Sequence, residues 1–261
     1  MDTISIQNKT KLARETIVSL AHHCKSAHVG SALSCIDILM TLYTTFLRTG
    51  IDHFIMSKGH GCMAYYTAME QIGIMSTETL LSYHTNGGKL LGHPSHSVPG
   101  IDWSTGSLGH GLSVAVGFAM AQKIKGIKAN NFVLLGDGEC NEGSVWEAAM
   151  LASKQKLDNV IAIIDHNGLQ ATNKCAEIDV GNFINKWVSF GWNVVVVDGN
   201  NIKDLCQVFS DTILYINCPT VIIANTIKGK GVSFMENNIE WHYKYPSQME
   251  LDMAVKEIRG K

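Results

Sequence analysis

Two short polar stretches carry the clearest chemistry in this chain: Gly136-Asp137-Gly138 and Asp165-His166-Asn167-Gly168. Asp137 offers a carboxylate and Asn167 a neutral amide oxygen, and the loop after Asn167 can turn a backbone carbonyl such as that of Leu169 inward. These are hard oxygen donors, too few to enclose an ion. Magnesium prefers near-octahedral oxygen and fills its remaining positions from waters and substrate phosphates, so a half-built site implies a phosphorylated ligand bridging the metal. The glycines flanking Asp137, Gly138 among them, let a backbone N–H approach a phosphate closely. Taken singly, GDG reads as a tight turn and DHNG as a loop; together they favour a magnesium–diphosphate site.

The elements around them support the pairing. Phe132 to Leu135 and Val160 to Ile164 are apolar runs of strand length. Val145, Ala148, Ala149 and Ala152 recur between them at the spacing of a helix that buries one side. This strand–helix–strand unit puts both polar tips at strand carboxyl ends, where open α/β sheets bind ligands.

With these residues in view, the chain resembles the transketolase family. GDGECNEG and IDHNG are similar to its thiamine diphosphate motif, which implies Asp137, Asn167 and the Leu169 carbonyl as magnesium ligands. SKGHG (57–61) is similar to the segment whose histidine contacts diphosphate and substrate, here His60. Gly92-His93-Pro94 resembles the GHP in which the histidine lies beside the reacting end of the substrate. Thr105-Gly106-Ser107-Leu108-Gly109 resembles a turn that implies a Gly106 carbonyl on the aminopyrimidine and Leu108 beside the rings. His28, in KSAHVG, resembles a substrate-facing histidine, although Ala27 and Val29 depart from the usual Gly and Pro. His242 resembles a late histidine that reaches diphosphate and substrate. Glu142 and Glu147 match acids at the family's subunit contact, and Glu142 is also assigned to the cofactor. A helix's first turn favours carboxylates in any case. His96 reads as structural and His110 as a group behind the site.

The resemblance implies transfer of a two-carbon ketol unit from a ketose, phosphorylated in the favoured reading, to an aldose. His28, His60, His93 and His242 would form the catalytic cluster. It also implies one thiamine diphosphate- and magnesium-binding domain over residues 1–261, without the pyrimidine-binding and C-terminal domains of a full-length enzyme. A C-terminal transketolase subunit would then supply the activating glutamate, in an α2β2 heterotetramer. The alternatives are the α-subunit of another thiamine-dependent enzyme, such as a 2-oxo acid dehydrogenase, and a non-catalytic cofactor-binding regulatory subunit.

Composition sets the frame. With 261 residues and 46% hydrophobic content, the chain can bury one large core. A net charge of −2 without a basic run argues against a nucleic-acid surface. The amino-terminal residues have no apolar h-region and no stretch reads as bilayer-spanning, so the chain is expected in the cytoplasm, away from membranes. Seven scattered cysteines without a CxxC pair read as core residues rather than disulfides or zinc ligands.

The expected fold is α/β: a doubly wound, mostly parallel sheet with helices on both faces. Strands are expected at 52–56, 132–135, 160–164, 193–197 and 220–224. Expected helices cover 9–24, with Leu12, Ile17, Leu20 and Ala21 as apolar stations, and 35–47, with Ser34 as N-cap. Others cover 63–72, 76–83, 111–121, a segment ending in 187–191, Ile202 to Leu214, and 249–259. The helix at 111–121, rich in small residues, is expected to pack closely on the sheet. Asp198 reads as turn capping. Lys228 and Lys230 read as solvated, in a mobile polar stretch running to Trp241-His242.

Overall fold

A computed structural model describes residues 2–179, 181–213 and 216–260. Strands β1 (His53–Met56), β2 (Asn131–Gly136), β3 (Val160–His166), β4 (Asn193–Asp198) and β5 (Thr220–Asn225) form one sheet. Their spatial order is β1-β2-β3-β5-β4, and every neighbouring pair is parallel. Gly136 pairs with Asp165 and His166 with Asn225. The carboxyl ends of the three central strands therefore finish level, and the loops that follow share one rim.

Both sheet faces are covered, which is why the strands read as unbroken apolar runs. Successive side chains point to opposite faces. Phe132, Leu134, Ile161 and Ile163 enter one buried cluster, while Val133, Leu135, Ala162 and Ile164 enter the other. The first cluster is closed by α1 (Thr3–His23), α2 (Val29–Thr41), α3 (Cys62–Gln71), α8 (Ile202–Thr212) and α9 (Gln248–Arg259). The second is closed by α5 (Gly111–Lys125), α6 (Gly143–Lys154) and α7 (Phe183–Ser189). A short helix, α4 (Thr77–Leu81), packs against α3. This is the expected α/β architecture.

Several local expectations are corrected. α1 starts at Thr3 rather than Lys9, because the Asp2 side chain accepts from Ser5 N–H and caps it. Leu12, expected inside, is 52% exposed. α2 starts at Val29, not Cys35, and Ser34 is not its N-cap. His28 holds that position in the left-handed region, φ 71°, and its side chain makes no cap hydrogen bond. Ser34 sits inside the helix, its hydroxyl donating to Asp165 and lying 3.1 Å from the Ser31 carbonyl.

α2 runs on through a π-helical turn, Leu42–Phe46. The combined segment Val29–Phe46 has the length and composition of a bilayer span, contrary to expectation, but 83% of it is buried in the core. α8 ends at Thr212, and Leu214 lies outside the described residues. α5 packs closely on β1, β2 and β3 as expected, burying Leu112, Ala115, Val116 and Ala119; at its start a Cβ on Gly111 would collide with the Ser57 side chain, while Gly117 faces open space. Residues 226–242 do not form a loose tail, since Val232, Met235 and Trp241 are buried in the first cluster.

Candidate active site

The two polar tips meet. Asp137, at the end of β2 and 3% exposed, accepts from its neighbour Gly138 N–H at 2.8 Å. It also accepts from Gly168 N–H at 2.6 Å, in the loop after β3. Asn167 is half-buried, and its Oδ1 accepts from Leu169 N–H at 3.1 Å. The loop turns back on itself: Gln170 N–H donates to the Asn173 carbonyl at 2.8 Å and Cys175 N–H to the Gly168 carbonyl at 2.9 Å. Gly168 takes φ 75° there, a conformation that suits glycine.

Burial pushes the Asp137 carboxyl above the usual range, and the nearby Asp165 charge adds to the push, opposed by the two backbone N–H groups. Such a carboxylate favours a cation beside it. Gln170 Nε2 is buried without a hydrogen-bond partner among the described residues, close against Gly138, where a Cβ would lie 2.7 Å from Gln170 Cγ. A hard-oxygen donor set beside an orphaned amide and a close-approach glycine fits a divalent cation carrying an oxyanion.

Under these tips lies a buried ionic network. Asp165, fully buried at the end of β3, accepts from Lys58 Nζ, Ser34 Oγ and Thr226 Oγ1. Burial alone would raise its pKa, but Lys58 and the hydroxyl donors outweigh it and hold the carboxyl below the usual range. Lys58 also donates to the Ser31 carbonyl at 3.2 Å. Its burial is opposed by Asp165, which keeps it charged above the ordinary lysine value. Glu139, 3% exposed, accepts from Ser57 Oγ, from Gly109 N–H at 2.8 Å and from Gly136 N–H at 3.0 Å. It ties the loop before α5 to the ends of β1 and β2, although burial still raises its pKa.

Three imidazoles form a triangle on this rim. Ring centres lie 5.4 Å apart for His28 and His60, 4.9 Å for His28 and His242, and 5.5 Å for His60 and His242. The left-handed turn at His28 lets its N–H donate to the His242 carbonyl at 2.9 Å. His93 comes alongside from the long loop: a Cβ on Gly59 would lie 3.2 Å from His93 Cδ2 and 2.8 Å from Thr105 Oγ1. Only glycine permits that approach, and Gly106 also borders the His93 ring.

All four rings are held neutral. Burial, then His93 and two lysines, lower His28 to about 4. Burial, then Lys228, lower His242 to about 3. Burial and Lys58 push His60 well below the usual value, and burial and His84 lower His93.

Lys228 corrects the expectation of a solvated lysine. It is 1% exposed; its Nζ donates to the Gln170 carbonyl at 2.9 Å and lies 3.0 Å from His242 Nδ1. Burial and Lys58 lower it to about 8, so it is still mostly an ammonium at neutral pH. An ammonium only donates; His242 Nδ1 therefore accepts, and its hydrogen sits on Nε2.

A model of the transketolase thiamine diphosphate binding domain matches residues 6–256. The chain belongs to the transketolase family. It is 38% identical over 267 residues to one subunit of the apulose-4-phosphate transketolase of Phocaeicola vulgatus, covering 99% of this chain and 94% of that protein. It is 33% identical to a 6-deoxy-6-sulfo-D-fructose transketolase subunit of a Clostridium species, covering 98% of this chain and 96% of that one. The structure of Campylobacter jejuni transketolase superposes with a TM-score of 0.88 at 27% identity, over 97% of this chain and 42% of that one. The chain thus spans nearly all of the subunit relatives and less than half of the single-chain transketolase.

Asp137, Gly138, Asn167 and Leu169 lie on the tips after β2 and β3, and Lys228 links the loop they form, through the Gln170 carbonyl, to His242 of the histidine cluster. Gly106 is exposed and Leu108 half-buried in the loop before α5. Glu142, exposed, begins α6, with its Cβ and Cγ against Gly109, and Glu147 is exposed on α6. His96 pairs locally with Ser104 Oγ at 2.7 Å, and His110 is exposed at the start of α5. Asp198 caps its own turn by accepting from Asn200 N–H at 2.9 Å.

Sequence reasoning missed Lys58, Asp165, Glu139 and Lys228 as buried charged groups.

Proposed function

We propose that this chain is the N-terminal, thiamine diphosphate- and magnesium-binding subunit of a two-subunit transketolase. It moves a two-carbon ketol unit from a ketose to an aldose once a C-terminal subunit supplies the activating glutamate. The observation that carries this reading is the meeting of the Asp137 and Asn167 tips with a neutral imidazole triangle on one strand-end rim. The subunit relatives, matched over 94% and 96% of their own lengths, support an enzyme divided between two chains.

Asp137, Asn167 and the Leu169 carbonyl would hold magnesium, whose preference for hard oxygen donors they match. Gly138, where the backbone can approach closely, His60 and His242 would receive the diphosphate. The Gly106 carbonyl would accept from the aminopyrimidine, and Leu108 and Glu142 would stand beside the rings. Bound thiamine diphosphate supplies the nucleophilic carbon that ketol transfer requires.

The chain's own part is donation and acceptance at oxygen. Neutral imidazoles offer one N–H and one lone pair each, so His28, His60, His93 and His242 can hand protons to and from sugar oxygens. His242, tied to Lys228 through Nδ1, presents its Nε2 hydrogen as a donor.

The donor is a ketose with an anionic terminal group; one relative's name carries a phosphate and another's a sulfonate. The chain acts as one domain of an α2β2 assembly in the cytoplasm, in keeping with seven free cysteines.

The test combines the chain with a C-terminal transketolase subunit, magnesium and thiamine diphosphate. Ketol transfer is assayed from phosphorylated, sulfonated and unmodified ketoses, with pyruvate as a control. Transfer from an anionic ketose is expected. Turnover of pyruvate without any ketose would overturn the reading, as would the absence of coenzyme binding in calorimetry of the complex.

A further inference from the structure

His93 rides on a long connection: no helix or strand occurs between Leu81 and Gly111. A catalytic ring on such a loop needs an external hold to keep a fixed place beside Gly59 and Gly106. α3 provides one. Cys62 and Tyr66, one helical turn apart and both fully buried, face the same way and reach three consecutive backbone carbonyls. The Tyr66 hydroxyl donates to the His93 carbonyl at 2.9 Å, with the Leu91 carbonyl at 3.1 Å. The Cys62 thiol lies 3.0 Å from the Gly92 carbonyl.

α3 begins directly after Gly61, so His60 stands at its amino end. One rigid element thus carries His60 and, over its first two turns, grips the backbone that carries His93. We propose that Cys62 and Tyr66 are positioning residues that set the place of His93 relative to His60. Their contacts are to loop backbone, and a carbonyl hydrogen-bonded in a dry interior is not easily re-registered. The kinetic consequence rests on the ketol-transfer reading; the structural one does not.

In the reconstituted complex, Tyr66→Phe should lower kcat about ten- to a hundredfold, the scale expected for a misplacement of roughly 1 Å, with KM within about twofold. Cys62→Ala should act in the same direction, and Cys62→Ser, which keeps a donor, should restore most of the loss. In the chain itself, the His93 Hε1 resonance should move in Tyr66→Phe and Cys62→Ala and return in Cys62→Ser. Wild-type kcat with an unmoved His93 resonance in Tyr66→Phe overturns the inference. So does a loss of kcat that merely follows the melting temperature while the resonance stays in place. If the wild-type complex moves no ketol unit from any ketose, the functional reading fails, and the resonance shifts alone still decide the positioning role.

Discussion

Replacing Asp165 with Asn tests whether the buried Lys58–Asp165 pair holds the strand ends together. Their side chains are 1% and 0% exposed, so solvent screens neither charge. Asparagine has one acceptor oxygen where the carboxylate has two, so it cannot accept from both Ser34, on Oδ2, and Thr226, on Oδ1, and it leaves the Lys58 ammonium without a countercharge beside the Ser31 carbonyl at 3.2 Å. Removing one partner of such a pair costs about 3–5 kcal/mol. At about 2–4 °C per kcal/mol for a domain of this size, Tm should fall by about 6–20 °C.

The pH dependence gives a second check. In the wild type Asp165 holds Lys58 above its ordinary value, so the pair's contribution is complete at neutral pH and, on the alkaline side, is lost as pH rises through that elevated value. In the variant the largest opposing charge is gone, and burial, now countered chiefly by the more weakly acting Cys35 and Asp137, lowers Lys58. Between the lowered value and the ordinary one, about 10.4, the unfolded chain binds more protons, so the variant's deficit shrinks as pH rises. Thermal melts followed by circular dichroism at neutral and alkaline pH read both effects. A Tm within about 2 °C of wild type at neutral pH, or a deficit indifferent to pH, would refute this account.

Glu139→Ala strands the buried N–H groups of Gly109 and Gly136 and the Ser57 hydroxyl. At about 1–3 kcal/mol for each unsatisfied group, urea unfolding should show a loss on the order of 3 kcal/mol. Asp137→Ala should weaken thiamine diphosphate binding with magnesium by more than about a hundredfold in calorimetry of the complex, beyond what outer-shell changes produce. Acid should loosen the fold early: His28 and His242 are lowered to about 4 and about 3, against about 6.5 unfolded. In that window the unfolded chain takes up more protons, so stability, fully present above about pH 6.5, declines as pH drops toward 4. A Tm unchanged across that range would contradict the neutral imidazoles.

The sheet was legible because strands covered on both faces write themselves as unbroken apolar runs, as at Val160 to Ile164. The tips at Asp137 and Asn167 were legible because a parallel strand–helix–strand unit must bring successive carboxyl ends to the same side. What failed to show depended on distant partners. Lys58 and Asp165 are 107 positions apart, and nothing local marks either as buried. Lys228, set between a threonine–isoleucine pair and a glycine, reads as a surface residue until the Gln170 carbonyl and His242 close around it. The start of α2 was misplaced for a different reason: its boundary is made by a left-handed backbone turn at His28 without a side-chain cap, whereas a serine before an apolar run invites a capping interpretation.

The clasp between Asp137 and Gly168 makes the arms that follow β2 and β3 a single mechanical part. Their spacing is dictated by main chain anchored in the middle of the sheet, not by the rotamer of a long side chain. A newly made chain therefore carries this half of its cradle ready-shaped, and an inserted or deleted residue in either arm would be felt at once by the other.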